Sequence, residues 1–171
     1  MTSPSSHAVL SPSSAHRWLA CPASVGLVAS MPERAEETSA YAREGTLVHE
    51  AAEKHAAFFF GQLPKDELTR WLDAFAPEVG ARAEMFEHAR AWAQVLARFE
   101  EDMGGAQVLL EQRFETGVPS CWGTADAVLV SGDTVHVCDF KYGQGVKVNA
   151  AGNPQMMLYA LGALDAFSFV S

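Results

Sequence analysis

Cysteine is scarce in this chain, and the three present, Cys21, Cys121 and Cys138, are an odd number at wide spacings with no CxxC pair. A disulfide-stapled framework is thereby excluded, and reduced thiols in a cytoplasmic protein are expected. The first six residues lack both a basic and an apolar export region, and no apolar run approaches the roughly 20 residues that cross a bilayer. A soluble, unexported protein with no membrane partner follows as the expectation. Basic residues are also in deficit: 12 Lys and Arg against 21 Asp and Glu leave a formal charge of -9. That balance argues against a protein that coats nucleic acid through charge alone, although an acidic site whose bound cation offsets its carboxylates is compatible with it. No internal repeat and no low-complexity linker interrupts the chain.

What is present suits one folded unit. At 171 residues and 49% apolar composition the chain is long enough to bury a core. A Ser-rich flexible tail over 1–10 is expected to precede a single domain over 11–171. Ser11-Pro12-Ser13-Ser14 reads as an N-cap with proline in the first helical turn, opening a helix through Leu19 that Pro22 stops. From Glu33 the composition is polar and helical, Gly45 interrupts, and 46–60 reads as a helix ended near Gly61. Helical character continues over 65–75 and 79–102, the second segment carrying Met85, Ala89, Trp92, Leu96 and Phe99 at spacings of three and four. After Gly104-Gly105 the period changes to two, predicting strands over 107–116, 123–130 and 134–141, the last two joined at Ser131-Gly132-Asp133 as a hairpin. A final helix spans about 153–167. Helices, then three strands, then a helix give an α/β (α+β) core, with the N-terminal helices packed on the sheet.

Chemistry concentrates in the strands. Side chains two apart on a strand share a face, so Asp139 and Lys141 emerge together while Phe140 points to the opposite layer. Asp126 lies across the predicted hairpin and joins them if it projects from the same face of the adjacent strand. Two carboxylates held close repel unless a cation neutralises them, and hard oxygen donors favour Mg²⁺ or Mn²⁺. The alternative is structural: a turn-proximal Asp126 beside an exposed Asp139/Lys141 ion pair.

Four spaced motifs occur in order: Gly45-Thr-Leu-Val-His49 (GxxxH) on a predicted helix, Gly123-Thr-Ala-Asp126 (GxxD) and Asp139-Phe-Lys141 ((D/E)xK) on strands, and Gln155-Met-Met-Leu-Tyr159 (QxxxY) on a helix. Together they resemble the signature of the RecB-type branch of the PD-(D/E)XK nuclease superfamily. The segment Asp139-Phe-Lys-Tyr-Gly143 and the N-terminal Ser11-Pro-Ser-Ser-Ala-His-Arg-Trp-Leu-Ala-Cys-Pro22 resemble more closely a phage- and prophage-associated family within that branch, whose members are usually longer.

The resemblance implies a restriction-endonuclease-like core, a small mixed sheet flanked by helices, in a domain short at its C-terminus. It implies a metal held by His49, Asp126, Asp139 and the backbone carbonyl of Phe140, with Lys141 positioning or deprotonating the attacking water. Gln155 and Tyr159, four apart on one helical face, would brace the site or contact a DNA phosphate. The implied activity is Mg²⁺- or Mn²⁺-dependent hydrolysis of DNA, of an exonuclease-like processing kind, with DNA as partner and a phage or recombination protein as a further one.

Other residues read differently. Glu111 sits on the first predicted strand, where alternation with solvent-facing Arg113 and Glu115 makes it part of a polar face outside the site. Lys54, Arg113 and Lys147 are candidate contacts to DNA backbone or simply solubilising charges. Trp122, next to Gly123, is the one tryptophan placed to stack on a nucleic-acid end. His49-Glu50-Ala-Ala-Glu53-Lys-His55 invites comparison with the zinc-protease HExxH helix, but Glu53 stands where the second histidine belongs. An Fe–S cluster of the kind some RecB-type relatives carry is not expected, because no cysteine follows Tyr159. The non-enzymatic alternative is an inactive nuclease-like protein that holds DNA in an assembly, or a truncated fragment, and an exposed apolar face on the last helix would be its symptom.

Overall fold

The computed structural model describes residues 8–31, 40–79, 83–143 and 148–167. Among them six α-helices and a three-stranded sheet make a mixed α/β architecture in the expected order. Residues 1–7 of the expected tail and 32–39 of the polar helical stretch lie outside the described residues.

Pro12 opens a 3-10 turn, Pro12–Ser14, that runs directly into α1 (Ala15–Ala20). The Ser11 carbonyl accepts from the Ser14 backbone N–H at 3.1 Å and from the Trp18 indole N–H at 3.0 Å. Pro22 ends α1, but it also caps a further helix, α2 (Ala23–Ser30). A proline lacks only the N–H that a first helical turn leaves unbonded, so one residue can stop one helix and start another.

The long helix α3 (Ala40–Phe59) passes straight through Gly45, correcting the expected interruption there. A helix-interior glycine costs about 0.5–1 kcal/mol, too little to break a helix that buries a whole face. Val48, Ala51 and Ala52 form that face, packed with Met85, Phe86 and Ala89 of α5 (Ala83–Asp102). The expected α5 stripe is buried at Met85, Ala89 and Leu96, half-buried at Trp92, and surfaces at Phe99, which meets His136 edge-on. Fully burying each large member contributes about 1.5–3 kcal/mol. α4 (Lys65–Val79) adds Trp71 and Leu72 to the same side and buries Leu68, and the Trp71 indole N–H donates to Glu50 Oε1 at 2.6 Å.

The sheet order is β1 (Gln107–Glu115), β2 (Trp122–Ser131), β3 (Thr134–Cys138). Both pairings are antiparallel, so the mixed sheet expected is, over the described residues, purely antiparallel. The reason is connectivity: a short loop and a two-residue turn join the strands, and parallel pairing needs a long crossover. Ser131 pairs with Thr134 around Gly132-Asp133, with Gly132 at φ +56, as the hairpin signal predicts.

β3 ends at Cys138, three residues before the expected limit. Its ladder stops where the Phe140 backbone N–H donates to the Asp126 carboxylate at 2.6 Å. The Asp139-Phe-Lys141 motif therefore lies just beyond the strand.

Helices α3 and α5 cover one face of the sheet, through Val108, Ala127 and Leu129. Helix α6 (Pro154–Ala166) covers the other, where Tyr159 and Ala163 meet Phe114, Val128 and Val130. Asn153 caps α6, its side chain accepting from the backbone N–H groups of Gln155 at 2.9 Å and Met156 at 3.4 Å. Close approach fixes the seating of α6: a Cβ at Gly162 would fall 2.6 Å from Phe114 Cβ. Gly123 is equally confined, since its Cβ would lie 3.0 Å from the Pro12 ring and 3.0 Å from Tyr159 Cε1. The glycine of GxxD is thus the point where the N-terminal turn, β2 and α6 converge.

Candidate functional site

One departure from regular strand geometry builds the site. Ala127 and Leu129 face α3 and α5, so strict alternation would send Ala125 there too, yet Ala125 packs with Tyr159 on the α6 side. β1 shows the same switch: Val108 and Leu110 join the α3 side, but Phe114 joins the α6 side. Between the two halves sits Glu111 at φ +50, a left-handed conformation that costs a non-glycine residue of order 1 kcal/mol. Both strands change faces here while their register stays continuous, from Leu110↔Ala127 to Gln112↔Ala125. The change turns Glu111 and Asp126 together toward α3.

Asp126 Oδ1 lies 3.4 Å from His49 Nδ1, and its Oδ2 accepts from Phe140 N–H. Asp139 belongs to the pair position one step beyond Ala127↔Cys138, opposite Asp126. Its Oδ2 is 2.6 Å from Lys141 Nζ, and its Oδ1 accepts from Gln155 Nε2 at 2.8 Å. Gln155 also accepts from Lys141 Nζ at 3.3 Å and reaches the Tyr159 hydroxyl at 3.4 Å. The Phe140 ring packs against His49 and Trp92, with centroids 5.4 and 5.3 Å away, and so points away from Lys141 as expected. All of the motif residues thus gather at one end of the sheet. Asp126 is bonded toward α3 and Asp139 toward α6, and the peptide between positions 139 and 140 joins the two groups.

The electrostatics follow from that crowding. Hydrogen bonding to Asp126 holds the His49 pKa above its usual value, against the opposing effect of burial. Burial raises the Asp139 carboxyl, with the Lys141 bond opposing it and the Asp126 charge adding to it. The Tyr159 hydroxyl is pushed up to about 12, chiefly by burial. The Cys138 thiol rises to about 11 by burial and then by the Asp126 charge, which makes it a poor nucleophile.

Glu111 departs from the sequence reading in one respect. It is exposed in alternation with Arg113 and Glu115, as expected, yet it does not stand outside the site, because it borders a shallow cleft with Gly45, Thr46, His49, Glu50 and Glu53. Desolvation, then Asp126 and Glu53, push its carboxyl up to about 7. A period-two pattern presumes uninterrupted strand geometry, and no residue type in Leu110-Glu-Gln-Arg-Phe-Glu115 announces a left-handed glutamate. The signal available was its register partner, because the pairing that aligns Leu110 with Ala127 sets Glu111 opposite Asp126.

Chemically, the donor set is three carboxylates, one imidazole and one ammonium. Among the described residues no three His, Cys, Asp or Glu side chains stand in an arrangement that could hold a metal ion as they are, since the carboxylates are turned to protein partners. Burial first, and then the Asp126 charge, raise both Asp139 and Glu111, and a positive charge placed among these carboxylates would favour their ionised forms.

Comparison with known proteins adds a lineage. A family model described as "Protein of unknown function (DUF2800)" matches residues 7–171. The chain belongs to this family. No solved structure matches it. In this family member the motif residues and Glu111 share one end of the sheet, whereas other candidates stand apart. Arg113 lies 3.8 Å over the Trp122 ring and bonds Glu115 at 3.0 Å, so one face of that indole is already covered. Lys54 pairs with Glu53 at 3.4 Å, and Lys147 falls outside the described residues. His55 faces Arg90 and Glu87, with burial lowering its pKa, in surroundings separate from those of His49. Cys21, Cys121 and Cys138 are free thiols. No helix among the described residues is long and apolar enough to cross a membrane.

Proposed function

We propose that this chain is a divalent-metal-dependent deoxyribonuclease with a restriction-endonuclease-like core of the RecB-type PD-(D/E)XK kind. One observation carries the reading: four segments far apart in sequence deliver His49, Asp126, Asp139, Lys141, Gln155 and Tyr159 into a contiguous set of polar contacts. An isolated surface ion pair would not recruit a glutamine and a tyrosine from a helix on the far face of the sheet.

His49, Asp126, Asp139 and the Phe140 carbonyl are the residues that would hold Mg²⁺ or Mn²⁺. When bound, such an ion supplies Lewis acidity to the phosphodiester and favours ionised water at neutral pH. Lys141 orients the attacking water, and Asp139 and Gln155 hold the ammonium in place. Water oxygen bonds to phosphorus, the bond from phosphorus to the 3′-oxygen breaks, and a proton goes to that oxygen, leaving a 5′-phosphate and a 3′-hydroxyl. Exonuclease-like processing in a phage or mobile-element setting, with a recombination protein as partner, is supported by the motif resemblance.

The test is incubation of labelled single- and double-stranded DNA with and without Mn²⁺, comparing wild type with Asp139→Ala and Lys141→Ala. Mn²⁺-dependent cleavage that falls about 10²–10³-fold or more in each variant is expected, the scale of losing one transition-state contact. Variants that cut as well as wild type, or no cleavage by any of them, would refute the proposal. A second reading, a nuclease-like protein that holds DNA within an assembly, is favoured by α6, whose Met157, Leu161 and Leu164 are 58%, 52% and 67% exposed along one side.

A further inference from the structure

Beside Lys141 a cleft of about 870 Å³ opens between the start of α3, α5 and the segment after β3. Its volume lies within the range of small-molecule sites. His88, Trp92 and Tyr142 supply aromatic surface, with the His88 and Tyr142 rings 5.8 Å apart. Glu44 and Glu84 supply carboxylates, and the Tyr142 hydroxyl donates to Glu44 at 3.5 Å. Among the described residues, the ammonium lining the cleft is that of Lys141, which also bonds Asp139.

We infer that this cleft is a subsite for an unpaired nucleobase next to the scissile phosphate, which makes single-stranded DNA the preferred substrate; the inference rests on the nuclease reading above. Charge sets the orientation. Glu44 and Glu84 repel a phosphate, while Lys141 at the mouth attracts one, so the backbone stays at the Asp126/Asp139 end and a base turns inward. Aromatic faces stack on any base, and carboxylates accept from exocyclic amino groups such as cytosine N4. In a duplex that edge is already paired, and the base reaches the cleft only when unpaired. The chain's excess of acidic over basic residues agrees, since binding through a base and a cation needs fewer phosphate contacts than binding along a duplex.

The experiment uses the full chain with labelled oligo-dC, oligo-dT and a blunt duplex of equal length, with binding followed by anisotropy in Ca²⁺ in place of Mn²⁺. Single strands should bind at least about 10-fold tighter than duplex, and Trp92→Ala should weaken single-strand binding about 5- to 100-fold while sparing the duplex. Glu84→Ala, at an exposed position, should abolish a preference for oligo-dC over oligo-dT, and it decides the matter if Trp92→Ala fails to fold. Equal binding of single strand and duplex, Trp92→Ala weakening both alike, or Glu84→Ala keeping the dC preference would overturn the inference. So would quenching of tryptophan fluorescence by choline but not by oligonucleotide, which would mark a cage for organic cations. Trp92-dependent single-strand binding without any cleavage would sink the nuclease reading and leave the base subsite standing. Mn²⁺-dependent cleavage indifferent to strandedness and to Trp92 would do the reverse.

Discussion

Replacing Gly45 by alanine should stabilise the protein while impairing the proposed reaction. Gly45 lies in the interior of α3, and a Cβ built there meets no atom within 4 Å. The methyl therefore creates no clash, and the gain is that of relieving a helix-interior glycine, about 0.5–1 kcal/mol. For a chain of this size that corresponds to a rise in Tm of roughly 1–4 °C. Urea unfolding should show a higher midpoint at unchanged m, because the surface exposed on unfolding hardly changes. Gly45 also borders both clefts flanking Lys141 and Glu111, so the added methyl stands where substrate would lie. Cleavage should fall although stability rises. A lowered midpoint would refute the packing argument by showing that α3 touches something at this position. A raised midpoint with unchanged cleavage would show that the open space beside Gly45 serves no ligand.

Gly162→Ala should act in the opposite sense, destabilising by about 1–3 kcal/mol in urea unfolding, because its Cβ would lie 2.6 Å from Phe114 Cβ and must push α6 off β1. A neutral effect would mean that α6 is seated less tightly than described. Asn153→Ala should cost about 1 kcal/mol through loss of the α6 cap, and urea midpoints check it. Glu111 predicts a pH dependence: its carboxyl ionises at about 7 in the folded protein and near 4.5 ordinarily. Across that window the native state keeps a proton that the unfolded chain has lost, so this group makes stability fall as pH rises, and the fall is complete above the folded value. The difference between urea midpoints at about pH 5 and about pH 8 should shrink in Glu111→Gln, with His49, also raised, leaving a residual difference of the same sign; an identical pH slope in that variant would refute the assignment.

Much of the architecture is legible in residue order. The stripe on α5, the hairpin at Gly132-Asp133 and the Asn153-Pro154 start of α6 are local signals, and each stands where periodicity and capping chemistry put it. The less legible points share a cause: competition between nearly balanced local options that distant contacts resolve. Gly45 could end or continue a helix, and burial of the α3 face decides for continuation. Pro22 could stop or start one, and it does both. At the site, Asp139, Lys141, Gln155 and Tyr159 are nominated by the resemblance of their motifs, while periodicity adds only that each pair shares a face, an argument that for Asp139 and Lys141 presumes a strand that in fact ends at Cys138.

Residue order alone was sufficient for most of the helices, the three strands and their sequence, since each depends on neighbours a few positions away, and the ordered motifs nominated six polar side chains through their resemblance to a known signature. Packing settled the rest. Whether Asp126 turns toward His49, whether Gln155 bridges Asp139 and Lys141, and that Glu111 joins them all hinge on a left-handed residue and on two glycines pressed against neighbouring elements. Those are long-range steric facts, and a local pattern carries no term for them.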